Sequence, residues 1–562
     1  MHPRDLPLQA LRGTGAEVQA IAFPCRRAAD QDAPPEAPAR HPVVIVGAGP
    51  VGLSLAIDLA QRGQRVVVLD DDGRLSAGSR AICFAKRTLE IWDRLGAGQP
   101  MVDKGVSWNV GRVFFGADAL YRFDLLPEDG HERPAFVNLQ QYYCEAYLVE
   151  RALGLSGIDL RWHHRVAGVA PHAGGARVEV DTPEGPYALE ADWLVACDGS
   201  RSPVRRMLGL ESRGRVFRDR FLIADVKMQA PFPAERWFWF DPPFHPNQSV
   251  LLHMQPDGVW RIDFQLGWDA DPEAAKRPEN IVPRVRALLG QDTPFTLEWA
   301  SVYTFACQRM ERFVHGRVVF AGDSAHGVSP FGARGANSGV QDADNLGWKL
   351  DAVLRGRAGA ALIDSYGCER EAAADENLRH STRSTDFITP KSEISRLFRD
   401  AALALARDHA FARRLVNSGR LSLPATLHGS PLNTPDDPAD GFAPVPVPAP
   451  GAVLPDAPLA QAGRATWLLR ALGADFTLIV FGPPPAWARA LAAETGTLRV
   501  LGIGEDAGQD SAADPQGLAA RRLDARAGTA YLVRPDQHVC ARWRAPTEAA
   551  VRAALRRAHA AP

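Results

Sequence analysis

The chain has 562 residues, 46% hydrophobic and 23% charged, with 64 Lys+Arg against 66 Asp+Glu and a formal charge of −2. That is enough material for a large core and about three or four units, and so even a charge balance argues against a binder of phosphate backbones, which would show a basic stripe. Seven scattered cysteines, at 25, 83, 144, 197, 307, 368 and 540, form no C-x-x-C pair, so no disulfide framework, zinc or other metal site is indicated and a reducing, cytoplasmic compartment is expected.

Residues 1–40, rich in Pro, Ala and charge, read as an N-terminal extension, a loose arm without an apolar leader. Val43–Ala60 is the longest apolar stretch, but Gly47, Gly49, Pro50, Gly52 and Asp58 interrupt it, so it predicts strand, turn and helix rather than a membrane span. The run VVIV enters Gly47-Ala48-Gly49-Pro50-Val51-Gly52, a helix follows, and RVVVLD supplies a second strand ending at Asp70. In such a G-x-G-x-x-G turn the first glycine bends the chain and the second leaves room for a pyrophosphate. The third lets the helix approach the strand, and the helix N-terminus faces the phosphates. Asp70 is the expected acceptor for an adenosine ribose. The pattern predicts an ADP-containing cofactor without choosing between NAD and FAD.

Aromatic, strand-like sequence at 105–140 and 212–305 alternates with α/β-type sequence at 41–104, 141–211 and 306–355. This predicts a β-rich module inserted into a discontinuous nucleotide-binding domain. Ala196-Cys197-Asp198-Gly199-Ser200-Arg201 follows one later strand, and Gly322-Asp323-Ser324-Ala325-His326 follows another, leading through SPFGARGANSG into a helix. Residues 356–423 read as a helical segment, 424–450 as a Pro-rich linker, and 451–562 as a compact domain with strands at FTLIVFG and TLRVLGIG and a final hairpin in YLVRPDQHVCARW.

These three motifs, in this order and spacing, resemble those of single-component FAD-dependent aromatic hydroxylases, the para-hydroxybenzoate and phenol hydroxylase group, with hydroxyphenylpropionate hydroxylases among the most similar. The resemblance covers about 41–415 and implies an α/β fold: a discontinuous Rossmann-like FAD-binding domain, an inserted β-rich substrate domain, a helical segment and a C-terminal thioredoxin-like domain. The tail lacks a redox Cys pair, Cys540 standing alone, so its expected role is structural or dimer-supporting.

By resemblance the cofactor is FAD, with NAD(P)H as transient co-substrate. Its contacts are expected from Gly47, Gly49, Pro50, Val51, Gly52 and Asp70, then from Arg80 and Gln141, from Asp198, Gly199 and Arg201, and from Gly322, Asp323, Pro330, Gly335, Ala336 and Asn337. The implied reaction hydroxylates a phenolic or related aromatic substrate with O2 through a flavin C4a-hydroperoxide. The alternatives are a polyketide- or antibiotic-tailoring monooxygenase and a flavin-dependent reductase that inserts no oxygen. No catalytic residue is fixed by the sequence. The candidates are His253, Gln265 and Tyr303 in strands of the inserted module, with Pro330 and Arg334 in the loop before the last helix. Family loops more often carry Gly and Gln or Lys where Ala333 and Arg334 stand, so Arg334 is either electrostatic or paired to a distant carboxylate. His326 reads as scaffolding. Trp237, Trp239, Phe240, Trp260 and Phe264 read as either a pocket wall or plain core.

Overall fold

The structure, a computed structural model, describes residues 8–34, 36–78, 81–230, 232–416, 422–504 and 510–560. Its first sheet grows from the β-branched run at the head of the chain. Strand β1 (Ala39–Val46) leads through the glycine turn into α1 (Pro50–Gln61) and returns as β2 (Val66–Asp70). A short strand, β3 (Cys83–Ala85), follows, then β4 (Val110–Phe115) and helix α2 (Gln141–Leu153). Next come β5 (Ile158–Trp162) and β6 (Tyr187–Ala196). Strands β2, β1 and β6 lie side by side and parallel, with β5 beyond β2 and β12 (Val318–Phe320) beyond β6. Both faces are covered, so these strands are buried almost continuously.

The second sheet contains β7 (Arg220–Met228), β8 (Arg236–Phe240), β9 (Ser249–Met254), β10 (Val259–Leu266) and β11 (Phe295–Tyr303), ordered β11-β7-β10-β9-β8-β4 with Asp118–Asp124 at the edge. One face carries Leu222, Val226, Trp239, Trp260 and Phe264 in an apolar core with Ile281 and Val285. The aromatic stripe is therefore split by strand alternation: Trp237, Trp239, Trp260 and Phe264 pack in that core, whereas Phe240 stands on the opposite face with Phe221 and Leu251. Helices α3 (Gly335–Leu354), α4 (Ala361–Ile388) and α5 (Glu393–Ala406) follow.

The third sheet, in the C-terminal domain, centres on β13 (Phe476–Phe481), with β14 (Leu498–Gly504) parallel on one side and β15 (Ala530–Val533) and β16 (Val539–Trp543) as an antiparallel pair on the other. The domain docks on α3, where Trp348 meets Phe476 edge-on with centroids 5.6 Å apart.

Two segments expected to be loose are packed. In the N-terminal extension Phe23 stacks on Trp162 at 4.5 Å, and Leu11, Val18 and Phe23 are buried. The Pro-rich linker lies along the last hairpin: Thr434 N donates to Cys540 O, Gly451 N to Val539 O, and Phe442 sits between the guanidinium groups of Arg542 and Arg544. In both, a few apolar or backbone anchors outweigh a disorder-prone composition. Among the described residues, no helix is long and apolar enough to cross a membrane, and all seven cysteines are free.

Candidate cofactor and substrate site

The three sequence motifs open at one edge of the first sheet. Gly47 N donates to Leu69 O, Cys197 N to Val46 O and Ala321 N to Ala196 O, so the turns after β1, β6 and β12 are neighbours. Ligands of open parallel sheets bind at this carboxyl edge.

The three glycines of the first turn do different work. Gly47 has φ +104°, and a Cβ there would meet Cys197 O at 2.5 Å; one on Gly52 would meet Gly47 O at 2.0 Å. Gly49, the N-cap of α1, has nothing within 4 Å of that position. The space before a helix N-terminus is a cradle that a side chain would fill, which fits a pyrophosphate. Pro50 occupies the first helical turn, where its missing N–H costs nothing, and Val51 packs against the third motif, within 2.9 Å of where a Gly322 Cβ would lie.

Asp70 accepts from Ala48 N at 2.6 Å and from Asp72 N at 3.0 Å, tying β2 to the glycine turn while leaving acceptor capacity for a ribose. Burial raises its carboxyl to about 6, helped by Asp71 and Asp72. Gln141 accepts from Ala81 N at 3.2 Å and donates to Ser76 and Glu145. Arg80 lies outside the described residues.

In the second motif Asp198 accepts from Val204 N at 3.0 Å, but its Oδ1 is buried without a hydrogen bond, and burial raises its pKa. An orphaned buried oxygen at this edge fits a ligand-facing role. Gly199 turns at φ +75°, and Arg201 is exposed.

The third motif is fixed by buried charge. Asp342 accepts from His326 Nε2 at 2.7 Å, from Arg370 Nε at 2.6 Å and from Gly322 N at 2.9 Å. Burial alone would raise the Asp342 carboxyl, but His326 and Arg370 hold it below its usual range. His326 is thus scaffolding. Asp323 and Pro330 stay exposed at the same edge, and Gly335 opens α3 beside Asp323. Ala333 takes φ +52°, a left-handed turn that explains why glycine suits this position. Arg334 is buried and donates to Asn377 Oδ1 at 2.8 Å. Ala336 is partly buried against the first core. Asn337 was expected at the cofactor, but its side chain is spent on the fold: it accepts from Ala85 N at 2.8 Å and donates to Cys83 O at 2.9 Å.

Opposite this edge stands the second face of the large sheet. Register places Arg236, His253, Arg261, Asp225 and Trp299 in one row across five strands. Two rows further along, Phe240, Gln265, Phe221 and Tyr303 share the same face. The three strand candidates, His253, Gln265 and Tyr303, therefore stand on one face. Gln265 uses its Oε1 on Ser249 N at 3.0 Å. Tyr303 stacks on Phe221 at 5.8 Å, and Phe221 meets Phe331 of the loop before α3 at 4.8 Å. Burial, then Asp263, pushes the Tyr303 phenol well above its ordinary value.

His253 Nδ1 lies 3.7 Å from Cys83 Sγ, and its Nε2 lies 3.5 Å from Asp263 Oδ2 without forming a hydrogen bond. Burial opposes the imidazolium, yet Cys83 and Asp263 raise the His253 pKa overall. Burial likewise opposes the Cys83 thiolate, and His253 brings that thiol down. Sequence reading missed Cys83, Arg236, Asp263 and Phe331. Alternation in RWFWF would have placed Arg236 on the face of Phe238 and Phe240, but the cross-strand partners depend on register.

An open dinucleotide cradle at one sheet edge, faced by an aromatic and polar sheet, defines a flavoprotein of the aromatic hydroxylase class. The chain belongs to this family: residues 40–381 match the FAD binding domain family and residues 447–562 the aromatic-ring hydroxylase C-terminal family.

Among its relatives, the 3-(3-hydroxy-phenyl)propionate/3-hydroxycinnamic acid hydroxylase of Mycolicibacterium smegmatis is 30% identical over 370 residues, 64% of this chain and 63% of that protein. The 6-methylpretetramide 4-monooxygenase of Streptomyces rimosus is 30% identical over 548 residues, covering 94% of this chain and 95% of that one. The crystal structure of the flavin-dependent monooxygenase PieE with FAD and substrate superposes with TM-score 0.79 at 25% identity, covering 93% of this chain and 99% of that one.

Proposed function

We propose that the protein is an FAD-dependent monooxygenase that uses NAD(P)H and O2 to hydroxylate a phenolic or related aromatic compound. The observation that carries this reading is the apposition of three flavin motifs, at one sheet edge, to a sheet face bearing Phe221, Tyr303 and His253. FAD, when bound, supplies hydride acceptance and the delivery of activated oxygen. The chain's own residues do the rest. Gly49 and the α1 N-terminus take the pyrophosphate, Asp70 the ribose, and Asp323 the ribityl chain. Asp198 and the helix start at Gly335 complete the cradle. Phe221, Phe331 and Tyr303 offer a flat apolar wall that excludes water, and His253 Nε2 is the atom assigned to take the proton of a substrate hydroxyl.

In this reading 41–104, 141–211 and 306–355 form the cofactor domain, 105–140 and 212–305 the substrate module, and the C-terminal domain supports a homodimer. The seven free cysteines fit a cytoplasmic setting. A second reading is a larger, polycyclic phenolic substrate, favoured by the end-to-end match to the 6-methylpretetramide 4-monooxygenase.

The test uses purified yellow protein with NADH and NADPH in turn and a panel of simple and polycyclic phenols. Nucleotide oxidation, oxygen uptake and product mass are recorded together. A product heavier by one oxygen atom supports the reading and its source sets the substrate size. Substrate reduction without oxygen uptake overturns it.

A further inference from the structure

Cys83 stands beside the proposed base and has no part in the hydroxylation itself. It opens β3, and its carbonyl accepts from Asn337 Nδ2 at the start of α3, so its backbone belongs to the cofactor edge. Its side chain reaches the large sheet, where Sγ lies 3.7 Å from His253 Nδ1. Asp263 Oδ2 stands 3.5 Å from the far ring nitrogen, Nε2, which is buried without a hydrogen bond. A thiol, an imidazole and a carboxylate thus follow one another, the arrangement that activates a sulfur nucleophile. Cys144, Cys197 and Cys540 are buried too, and burial raises each of their thiols. At Cys83 burial acts the same way, but His253, then Arg236 and Arg261, outweigh it and hold the thiol below its ordinary value.

We propose that Cys83 is a covalent modification site for quinones, the electrophiles that dihydroxyarenes become on oxidation. This rests on reading the face around His253 as the substrate wall. A phenol hydroxylated there leaves as a dihydroxyarene, which gives two electrons and two protons to O2, forming H2O2, and becomes a quinone. In the trapping step Cys83 Sγ passes its proton to His253 Nδ1 and bonds to a ring C–H carbon of the quinone. The electron pair moves to the conjugated carbonyl oxygen, which takes the proton from Nδ1. The hydrogen at the new C–S bond then shifts as a proton to the second oxygen, leaving an aromatic hydroquinone thioether. The quinone is itself the electron acceptor, so no further oxidant enters the step. The adduct occupies the substrate face, so an enzyme whose product is over-oxidised is shut off.

The experiment treats the holoenzyme with 1,4-benzoquinone at about pH 7, where an ordinary thiol is mostly protonated, and follows each cysteine by peptide mass mapping over time. Cys368, which is exposed, is the internal reference. Cys83 is expected to gain one benzoquinone about tenfold or more faster than Cys368, the gain of a positioned base less the cost of burial. In His253→Gln the Cys83 rate is expected to fall by about tenfold or more while Cys368 keeps its own. Asp263→Asn keeps the imidazole and is expected to slow Cys83 severalfold, so the result does not hang on one variant, and retained flavin absorbance reports that each is folded. A Cys83 adduct that is absent or slower than that of Cys368, or a Cys83 rate unmoved in both variants, overturns the assignment. A fast, His253-dependent adduct in an enzyme that inserts no oxygen into any phenol upholds it and counts against the monooxygenase reading alone. Oxygen insertion without the adduct does the reverse.

Discussion

Two clusters of buried charge in this molecule look alike in composition and differ in completeness. Where the C-terminal domain meets α3 and α4, Lys349, Glu369, Arg534 and Asp536 are wholly buried. Lys349 Nζ donates to Glu369 at 2.7 Å, Arg534 reaches both Glu369 and Asp536, and Asn345 bridges to Asp536 at 3.2 Å. None of the four has a buried nitrogen or oxygen without a partner. Burial alone would raise the Glu369 carboxyl, but Arg534 and Lys349 hold it well below its usual range. At the cofactor edge Asp198 Oδ1, and on the site face of the large sheet Arg236 NH1 and His253 Nε2, by contrast lack hydrogen bonds. A saturated cluster holds domains together, and an unsaturated one is set to receive something.

The contrast can be broken at either end. The largest effect is expected at the saturated joint, where Arg534→Met should cost about 3–5 kcal/mol because Asp536 is left buried without its guanidinium partner and Glu369 keeps only Lys349. Denaturant titration reads this, and a loss below about 1 kcal/mol would mean that the joint is not saturated in solution.

On the open side, variants should change the ligand and spare the fold. Gly49→Val should fold with an unchanged melting midpoint but retain no FAD through gel filtration, because the added side chain meets only the cradle. Retained yellow colour would remove the pyrophosphate assignment. Asp323→Ala should weaken FAD binding by about tenfold to a hundredfold, the value of a hydrogen bond to a charged group, as measured by fluorescence titration of the apoprotein.

Asp70 sharpens the comparison by pH. Its carboxyl titrates at about 6, above the ordinary value, so the folded protein favours the protonated form below that point and stability is lost as pH rises through it. Cofactor binding runs the opposite way, since the ionised form is the better acceptor for the ribose. FAD affinity should fall by about tenfold from neutral pH to pH near 5, and Asp70→Asn should flatten that profile. The smallest effect is expected at Ala333→Gly, which relieves a left-handed alanine and should gain ~0.5–1 kcal/mol in a melting experiment.

Much of the cofactor side was legible in the sequence because it is local. A G-x-G-x-x-G turn, its flanking helix and the acid at the end of β2 lie within Gly47–Asp70, and their geometry follows from residues that are close in the chain. The C-terminal strands at Phe476–Phe481 and Leu498–Gly504 and the hairpin ending in Trp543 were legible for the same reason. The substrate face was not. The pairing of Arg236 with His253, and of His253 with Arg261, depends on which residues of distant strands fall opposite one another, and a one-residue slip would send all of them to the other face. Asn337 sits in a cofactor motif yet serves β3, because its partners Cys83 and Ala85 come from far earlier in the chain. The packing of Phe23 on Trp162 and of Phe442 between two arginines was hidden by the composition around them.

The saturated joint also has a bearing on how the protein is made. Glu369 and its partner Arg534 are 165 positions apart, so a ribosome working at its usual pace needs about 10–30 s to deliver the second after the first. Throughout that interval Glu369 on α4 has Lys349 of α3 as its cation and lacks the second, Arg534. The joint is therefore completed only after the C-terminal domain has been made, and that domain enters as the piece that saturates it.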